Sequence, residues 1–172
     1  MRIEILLYDG FDEIDALGPF EVLSANFDVE LVSLDRPGTV TTARGLQLVT
    51  GAALGRPDGV IVPGGGWQDR ATEGAWAQSQ RRRLPDTVAE LAPDLSWVAS
   101  VCTGALLLAA AGLLTDRYAT TNRRTRRAAA SRPRGRRRTG RRRRGPDHRC
   151  GAHRRPRLGP LDHRTTPRHG SR

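Results

Sequence analysis

The sequence predicts one α/β domain with a mainly parallel sheet, followed by a tail of different composition. Short, nearly continuous apolar segments such as RIEILLY and GVIVP alternate with longer segments of helical pattern. Strands that alternate with helices form parallel sheets whose two faces are both covered. Residues 1–121 contain 9 arginines and 16 acidic residues, whereas residues 122–172 contain 20 arginines and 2 acidic residues. This break in charge divides the 172-residue chain into an α/β domain, 1–121, and a basic tail, 122–172.

The elements follow from local pattern. Strands are predicted where β-favouring apolar residues run together: residues 2–8, 27–35, 39–50 as a hairpin or two short strands turned at Gly45, 59–63 and 94–101. Helices are predicted over residues 12–25, 68–91 and 103–114. Asp12 is the expected N-cap of the first helix, and Gly18-Pro19 is expected to kink or split it. Pro85 is expected to interrupt the second helix.

Three classes of protein are disfavoured by composition. The opening residues MRIEILLYDG lack the basic and apolar regions of a signal peptide. The longest apolar run, Ala105 to Leu114, is ten residues, which is too short to cross a bilayer. One cysteine, Cys102, lies in the domain and the other, Cys150, in the polar tail, so we expect two free thiols in a reducing cytoplasm rather than a disulfide.

Chemically useful residues fall where three predicted strands end. Cys102 follows the last strand, Gly64 to Gly66 follow the strand GVIVP, and Asp15 comes shortly after the first strand. In parallel α/β sheets, ligands bind beyond the carboxyl ends of the strands. The sequence therefore predicts that a thiol, a glycine turn and a carboxylate meet at one edge of the sheet.

This set suits nucleophilic catalysis. A thiolate is the attacking form of cysteine, and a helix beginning at Thr103 would favour an anion there. Glycine lets the backbone come close to a substrate, so N–H groups of Gly64, Gly65 and Thr103 could stabilise developing negative charge. Asp15 could hold or exchange a proton. Taken singly, a cysteine is more often a small core residue, PGGG a plain turn and Asp15 a solvated acid at a helix start.

The segments YDGFDEIDALGPFEVLS, DGVIVPGGG and SVCTGALLLAAAGLLTDRYATTN resemble the DJ-1/PfpI superfamily, and within it the isonitrile hydratases and related amidotransferase-like domains. The resemblance covers residues 1 to about 122 and implies a flavodoxin-like three-layer α/β/α sandwich that works without a cofactor or metal. It matches Cys102 to the nucleophile and Asp15 to its acidic partner. It matches Gly65 and Thr103 to the oxyanion site. Many members carry a histidine where this chain has Asn122, so the acid is expected to replace it.

The resemblance also implies a reaction. The thiolate would attack the terminal carbon of an isonitrile, and water would then release an N-substituted formamide from the thioimidate. A homodimer is expected for an intact member. The alternatives are a small-molecule sensor or binding domain of the same fold, which would bind ligand without converting it, and non-specific nucleic-acid binding through the tail. No helix-turn-helix pattern follows residue 122, which disfavours a fused regulator.

The basic tail has three interpretations: a nucleic-acid arm, a solvated charge block and the product of a frameshift. RPRGRRRTGRRRRG could be a nucleic-acid arm or a solvated charge block, and His148, Cys150 and His153 make a poor metal site because no packed structure is expected around them. Residues 122–172 contain Leu158 and Leu161 but no other large apolar residue, so disorder is expected.

A frameshift near residues 122–128 is the preferred origin of this tail. A family member should continue with a helix, a strand and a closing helix, so the chain as written is expected to be poorly soluble and nearly inactive. Permitted codons for residues 147–168, read one base later, can spell TTAAGLTAGLDLGLWITERHLG, which has that character.

Overall fold

The structure, a computed structural model, describes residues 1–117 and 119–122. Its centre is a five-stranded sheet in the order β5-β2-β1-β6-β7, in which every pairing is parallel. These strands are β1 (Arg2–Leu7), β2 (Asp28–Ser33), β5 (Ala52–Ala53), β6 (Gly59–Val62) and β7 (Trp97–Ser100). A separate antiparallel hairpin consists of β3 (Gly38–Thr41) and β4 (Gln47–Thr50). The α/β fold with a mainly parallel sheet is thus confirmed.

Among the described residues, four α-helices connect and cover these strands: α1 (Glu13–Ser24), α2 (Ala75–Arg81), α3 (Arg83–Leu91) and α4 (Gly104–Ala110). A short 3₁₀ helix, Ala92–Asp94, follows α3. Helix α1 packs against β1 and β2, whereas α2, α3 and α4 contact one another and α4 lies on β6 and β7. Residues Ile3 to Leu7 of β1 are all buried, although their side chains alternate between the two faces of the sheet. Both faces of the central strand are therefore covered.

The strand order identifies which edge of the sheet is exposed. Without the short β5, the order β2-β1-β6-β7 corresponds to the first four strands of the flavodoxin-like order 2-1-3-4-5. Within residues 1–117 and 119–122, no strand occupies the fifth place, so β7 is an edge strand. All four residues of β7 are only half-buried, whereas all four of β6 are buried.

Helix α1 differs from its expected form. It begins after Asp12, whose side chain accepts a hydrogen bond from the Ile14 N–H, as the N-cap prediction requires. It then continues through Pro19 as one helix. A proline ring ordinarily clashes with the Cβ of the residue before it. Gly18 has no Cβ, so this part of the strain is absent and the predicted split does not occur.

Two further helix predictions were wrong in extent. Residues 68–74 form turns and bends, and the break between α2 and α3 falls at Arg82, which has a left-handed φ of 67°, instead of at Pro85. Pro85 lies in the first turn of α3, where a missing N–H costs nothing. Helix α4 ends at Ala110, short of the expected Leu114. No helix among the described residues is long and apolar enough to span a membrane.

Candidate active site

Cys102 lies in the sharp turn between β7 and α4. Its φ of 51° places it in the left-handed region, which costs a residue with a side chain about 1–3 kcal/mol and is often found at functional sites. The turn is fixed on both sides: Val101 N–H donates to the Val62 carbonyl at 3.1 Å, and the Thr121 hydroxyl donates to the Cys102 carbonyl at 2.9 Å. The thiol-bearing residue is exposed. The turn thereby places an exposed cysteine at the carboxyl edge of the sheet.

Gly104 lets this turn lie directly against the end of β6. A Cβ on Gly104 would stand 2.1 Å from the Val62 carbonyl oxygen and 2.8 Å from that of Pro63, well inside any permitted contact. The chain after Cys102 therefore contacts the segment that leads into the glycine turn. This contact brings the thiol and the glycine N–H groups together, as the sequence predicted.

Asp15 lies in the first turn of α1 with 6% of its surface exposed. Gly64 N–H donates to its Oδ2 at 3.1 Å. Burial raises the pKa of Asp15, and the charge of Asp12 raises it further. The hydrogen bond from Gly64 and the nearby Cys102 side chain lower that pKa in part. The arrangement keeps a proton-accepting group next to the thiol, with an increased tendency to hold the proton.

More N–H groups of the glycine turn are hydrogen-bonded within the protein than the sequence suggested. The Gly64 N–H is directed at Asp15, and the Gly65 N–H donates to the Thr103 Oγ1 at 2.9 Å. The Gly64 carbonyl in turn accepts from the Asp12 N–H at 2.8 Å. Within the described residues the Thr103 N–H has no hydrogen-bond acceptor. Of the three expected donors, only that of Thr103 is available to a substrate in this arrangement.

Tyr8 is a site neighbour that the sequence analysis missed. It is 5% exposed, and its hydroxyl donates to the Pro63 carbonyl at 2.6 Å. Burial raises its pKa well above the usual value, and the charges of Asp15 and Cys102 raise it further. The phenol therefore stays neutral and remains a donor beneath the Asp15–Cys102 pair. Its position at the end of the first strand was a signal that a polar tip could reach the site.

A cavity of about 200 Å³ opens beside the thiol. Its lining comprises Asp12, Gly65, Gly66, Trp67, Gln68, Asp69, Cys102, Thr103 and Asn122. The Trp67 ring meets the Trp76 ring edge to face at 5.4 Å, which stiffens an aromatic wall. A neighbouring cleft of about 590 Å³ shares Asp12, Gly66 and Asp69 with this cavity, so a substituent on a small reactive group has room to extend.

The predicted residues are thus mostly assembled. The structure brings Cys102, Asp15, Gly64, Gly65 and Thr103 together, and Asn122 lines the same cavity. The three tail residues considered as metal ligands, His148, Cys150 and His153, lie outside the described residues, as do the tail interpretations themselves.

Comparison with known proteins is consistent with this geometry. The chain is 35% identical over 127 residues to the isonitrile hydratase of Pseudomonas putida, covering 71% of this chain and 52% of that protein. It is 34% identical over 130 residues to a Streptomyces lividans protein described as "Uncharacterized protein in cpoL 5'region", covering 70% of this chain and 86% of that protein. The chain therefore spans about half the length of the isonitrile hydratase.

Solved structures share the fold. A THiJ/PfpI family protein from Pseudomonas syringae superposes with a TM-score of 0.56 at 26% identity, over 65% of this chain and 46% of that one. Schizosaccharomyces pombe DJ-1 superposes with a TM-score of 0.61 at 21% identity, over 76% of this chain and 72% of that one. The sequence model described as "DJ-1/PfpI family" matches residues 1–134. The chain belongs to the DJ-1/PfpI family.

Proposed function

We propose that this protein is a cysteine-dependent hydratase that adds water to an isonitrile and releases an N-substituted formamide. The observation that carries the proposal is that the turn holding the exposed Cys102 packs against Gly64 beside the buried carboxyl group of Asp15: a Cβ on Gly64 would stand 2.6 Å from the Thr103 nitrogen and 2.9 Å from Asp15 Oδ2. A nucleophile that lines a cavity is thereby placed near an acid–base group. The 35% identity to an isonitrile hydratase supports the choice of substrate.

In the first stage the sulfur of Cys102 bonds to the terminal carbon of the isonitrile. The S–H bond breaks and Asp15 accepts the proton. Asp15 then delivers this proton to the same carbon, so the product is a thioimidate, R–N=CH–S–Cys102. A carboxyl group with a raised pKa suits this exchange, because it holds a transferred proton more readily than an ordinary carboxylate and can still return it.

In the second stage water adds to the thioimidate carbon. One water proton passes to the substrate nitrogen, and the other leaves the new oxygen as the carbon–sulfur bond breaks. The sulfur regains a proton and R–NH–CHO departs, so the net change is the addition of one water. The Thr103 N–H, which has no acceptor in the described chain, is the donor available to negative charge on the new oxygen.

The decisive experiment compares isonitrile turnover by the full chain and by the version whose reading frame is restored after about codon 122, with formamide measured by mass spectrometry. In whichever version is active, Cys102→Ser should abolish product, and Asp15→Asn should lower kcat by at least 10²-fold, the usual range for a positioned acid–base group. Tryptophan fluorescence reports binding in the same samples, because one of the three tryptophans, Trp67, lines the cavity. Saturable binding without any Cys102-dependent product would favour the sensor alternative and contradict the proposal.

The quaternary state is part of the same proposal. Proteins of this family are commonly dimeric, and we extend this to the intact form of the present protein. Sedimentation of a catalytically active preparation should give the mass of two chains. An active monomer would remove the dimer from the proposal without affecting the chemistry.

A further inference from the structure

One peptide group links the phenol of Tyr8 to the carboxylate of Asp15. The Pro63 carbonyl and the Gly64 N–H belong to the same planar peptide unit. The Tyr8 hydroxyl donates to this carbonyl at 2.6 Å, and the N–H donates to Asp15 Oδ2 at 3.1 Å. Both hydrogen bonds are buried. The orientation of the Gly64 N–H toward Asp15 is therefore fixed from the opposite end by Tyr8.

We propose that Tyr8 is a positioning residue for the proposed reaction, acting through the Pro63–Gly64 peptide on Asp15. The inference depends on the proposed function only for its kinetic consequence, since the hydrogen-bonded chain exists independently of the substrate. The hydrogen-bonded chain runs from the Tyr8 hydroxyl to the Pro63 carbonyl and from the Gly64 N–H to the Asp15 carboxylate. The Cys102 side chain lies close enough to this carboxylate to lower its pKa.

Two physical effects pass along this chain. The first is geometric, because a peptide plane held at its oxygen cannot rotate its N–H away from Asp15. The second is electronic, because a carbonyl that accepts a hydrogen bond polarises its own amide and makes the N–H a stronger donor. Both effects favour the ionised carboxylate, which is the form that accepts the thiol proton.

The charged surroundings of Asp15 define what removal of the Tyr8 hydroxyl would change. Burial and the charge of Asp12 on the same helix raise the pKa of Asp15, while Gly64 and Cys102 from the facing segments lower it. Tyr8, the residue directly after β1, is neutral. Loss of the Tyr8 hydroxyl weakens the Gly64 donor and leaves the other influences in place. The pKa of Asp15 should consequently rise in Tyr8→Phe.

Ser79→Ala is a matched control. Ser79 is 9% exposed, and its hydroxyl donates to the Trp76 carbonyl within α2 at 2.7 Å. Each substitution removes one largely buried hydroxyl that bonds a backbone carbonyl, and Ser79 lines neither the Cys102 cavity nor the neighbouring cleft. A general loss of stability would affect both variants. Only Tyr8→Phe should alter the site.

The primary measurement is the rate of Cys102 alkylation by iodoacetamide as a function of pH in the full chain, with modification located by peptide mass spectrometry. The alkylation rate should fall at low pH where Asp15 becomes protonated, and this fall is the acid limb of the profile. Asp15→Asn should remove the acid limb and so identify it. Tyr8→Phe should move the limb to higher pH, whereas Ser79→Ala should leave it in place. Site-specific 3-fluorotyrosine at position 8, a stronger donor of similar size, should move it to lower pH. A limb that stays fixed in both Tyr8 variants would overturn the proposal.

Isonitrile turnover is the second measurement. Tyr8→Phe should lower kcat three- to tenfold with little change in KM, because Tyr8 lies beneath the site and does not line the cavity. A shifted alkylation profile in a chain without hydratase activity would support the positioning role and contradict the proposed function. If Cys102-dependent turnover is present and Tyr8→Phe changes neither the turnover nor the alkylation profile, the result would support the proposed function and contradict the positioning role of Tyr8.

Discussion

Gly64→Ala tests the site geometry with a single methyl group. A Cβ placed on Gly64 would stand 2.5 Å from Thr103 Oγ1, 2.6 Å from the Thr103 nitrogen and 2.9 Å from Asp15 Oδ2. These atoms are the acceptor that holds the glycine turn, the free backbone donor and the carboxylate beside the thiol. The three nearest atoms all belong to the site, so the strain falls first on the site itself.

The size of the effect follows from these distances. Ordinary contact begins at 3.4 Å, so each of the three contacts must lengthen by about 0.5–0.9 Å. Overpacking of this kind costs about 1–3 kcal/mol of stability. Misplacement of reacting groups by about 1 Å can cost 10²-fold in rate. We therefore expect Gly64→Ala to remain folded, to lose about 1–3 kcal/mol and to lower Cys102-dependent turnover about 10- to 100-fold.

The assay compares urea unfolding, isonitrile turnover and Cys102 alkylation in Gly64→Ala and in a control, Gly51→Ala. A Cβ on Gly51 would have no atom within 4 Å, so the control should lie within about 0.5 kcal/mol of the parent protein with unchanged kinetics. Parental turnover and alkylation in Gly64→Ala would refute the close packing of Gly64 against Thr103 and Asp15.

Three further predictions concern the carboxylate, the thiol and the tail. Burial raises the pKa of Asp15, so the folded chain holds this proton more tightly than the unfolded chain. The parent should therefore lose stability relative to Asp15→Asn as pH rises from 3.8, the ordinary pKa of an aspartate, through the raised pKa of Asp15. Urea unfolding of both proteins over this pH range measures the difference. A difference that does not change with pH would contradict the rise of the Asp15 pKa on burial. Cys102 should be alkylated faster than Cys150 at neutral pH, and equal rates in peptide mapping would count against a special site. Restoring the reading frame after about codon 122 should raise solubility and thermal cooperativity, because β7 is a half-exposed edge bordered by an apolar groove of about 220 Å³. Equal melting and turnover of both versions would contradict the frameshift interpretation.

Local pattern was sufficient for the α/β fold. Periodicity and apolar run length located four of the five strands described in the parallel sheet, because burial on both faces leaves a continuous apolar signature in the sequence; the two-residue strand β5 is too short to leave one and was not predicted. The position of Cys102, Asp15 and the glycine turn at strand ends then followed from the rule that parallel strands share a carboxyl edge. These features depend on neighbours close in sequence, or on a topology common to all such sheets.

The tertiary structure decided the details that depend on distant contacts. The Gly64 N–H meets an acceptor 49 residues away in sequence, and the Tyr8 hydroxyl meets one 55 residues away. No local pattern states which of several polar groups at one sheet edge will pair. The commitment of the Gly65 N–H to Thr103 and the break of the helices at Arg82 were hidden for the same reason. The sequence by itself determined which groups reach the carboxyl edge, and only packing decided which of them bond to each other and which remain available to a substrate.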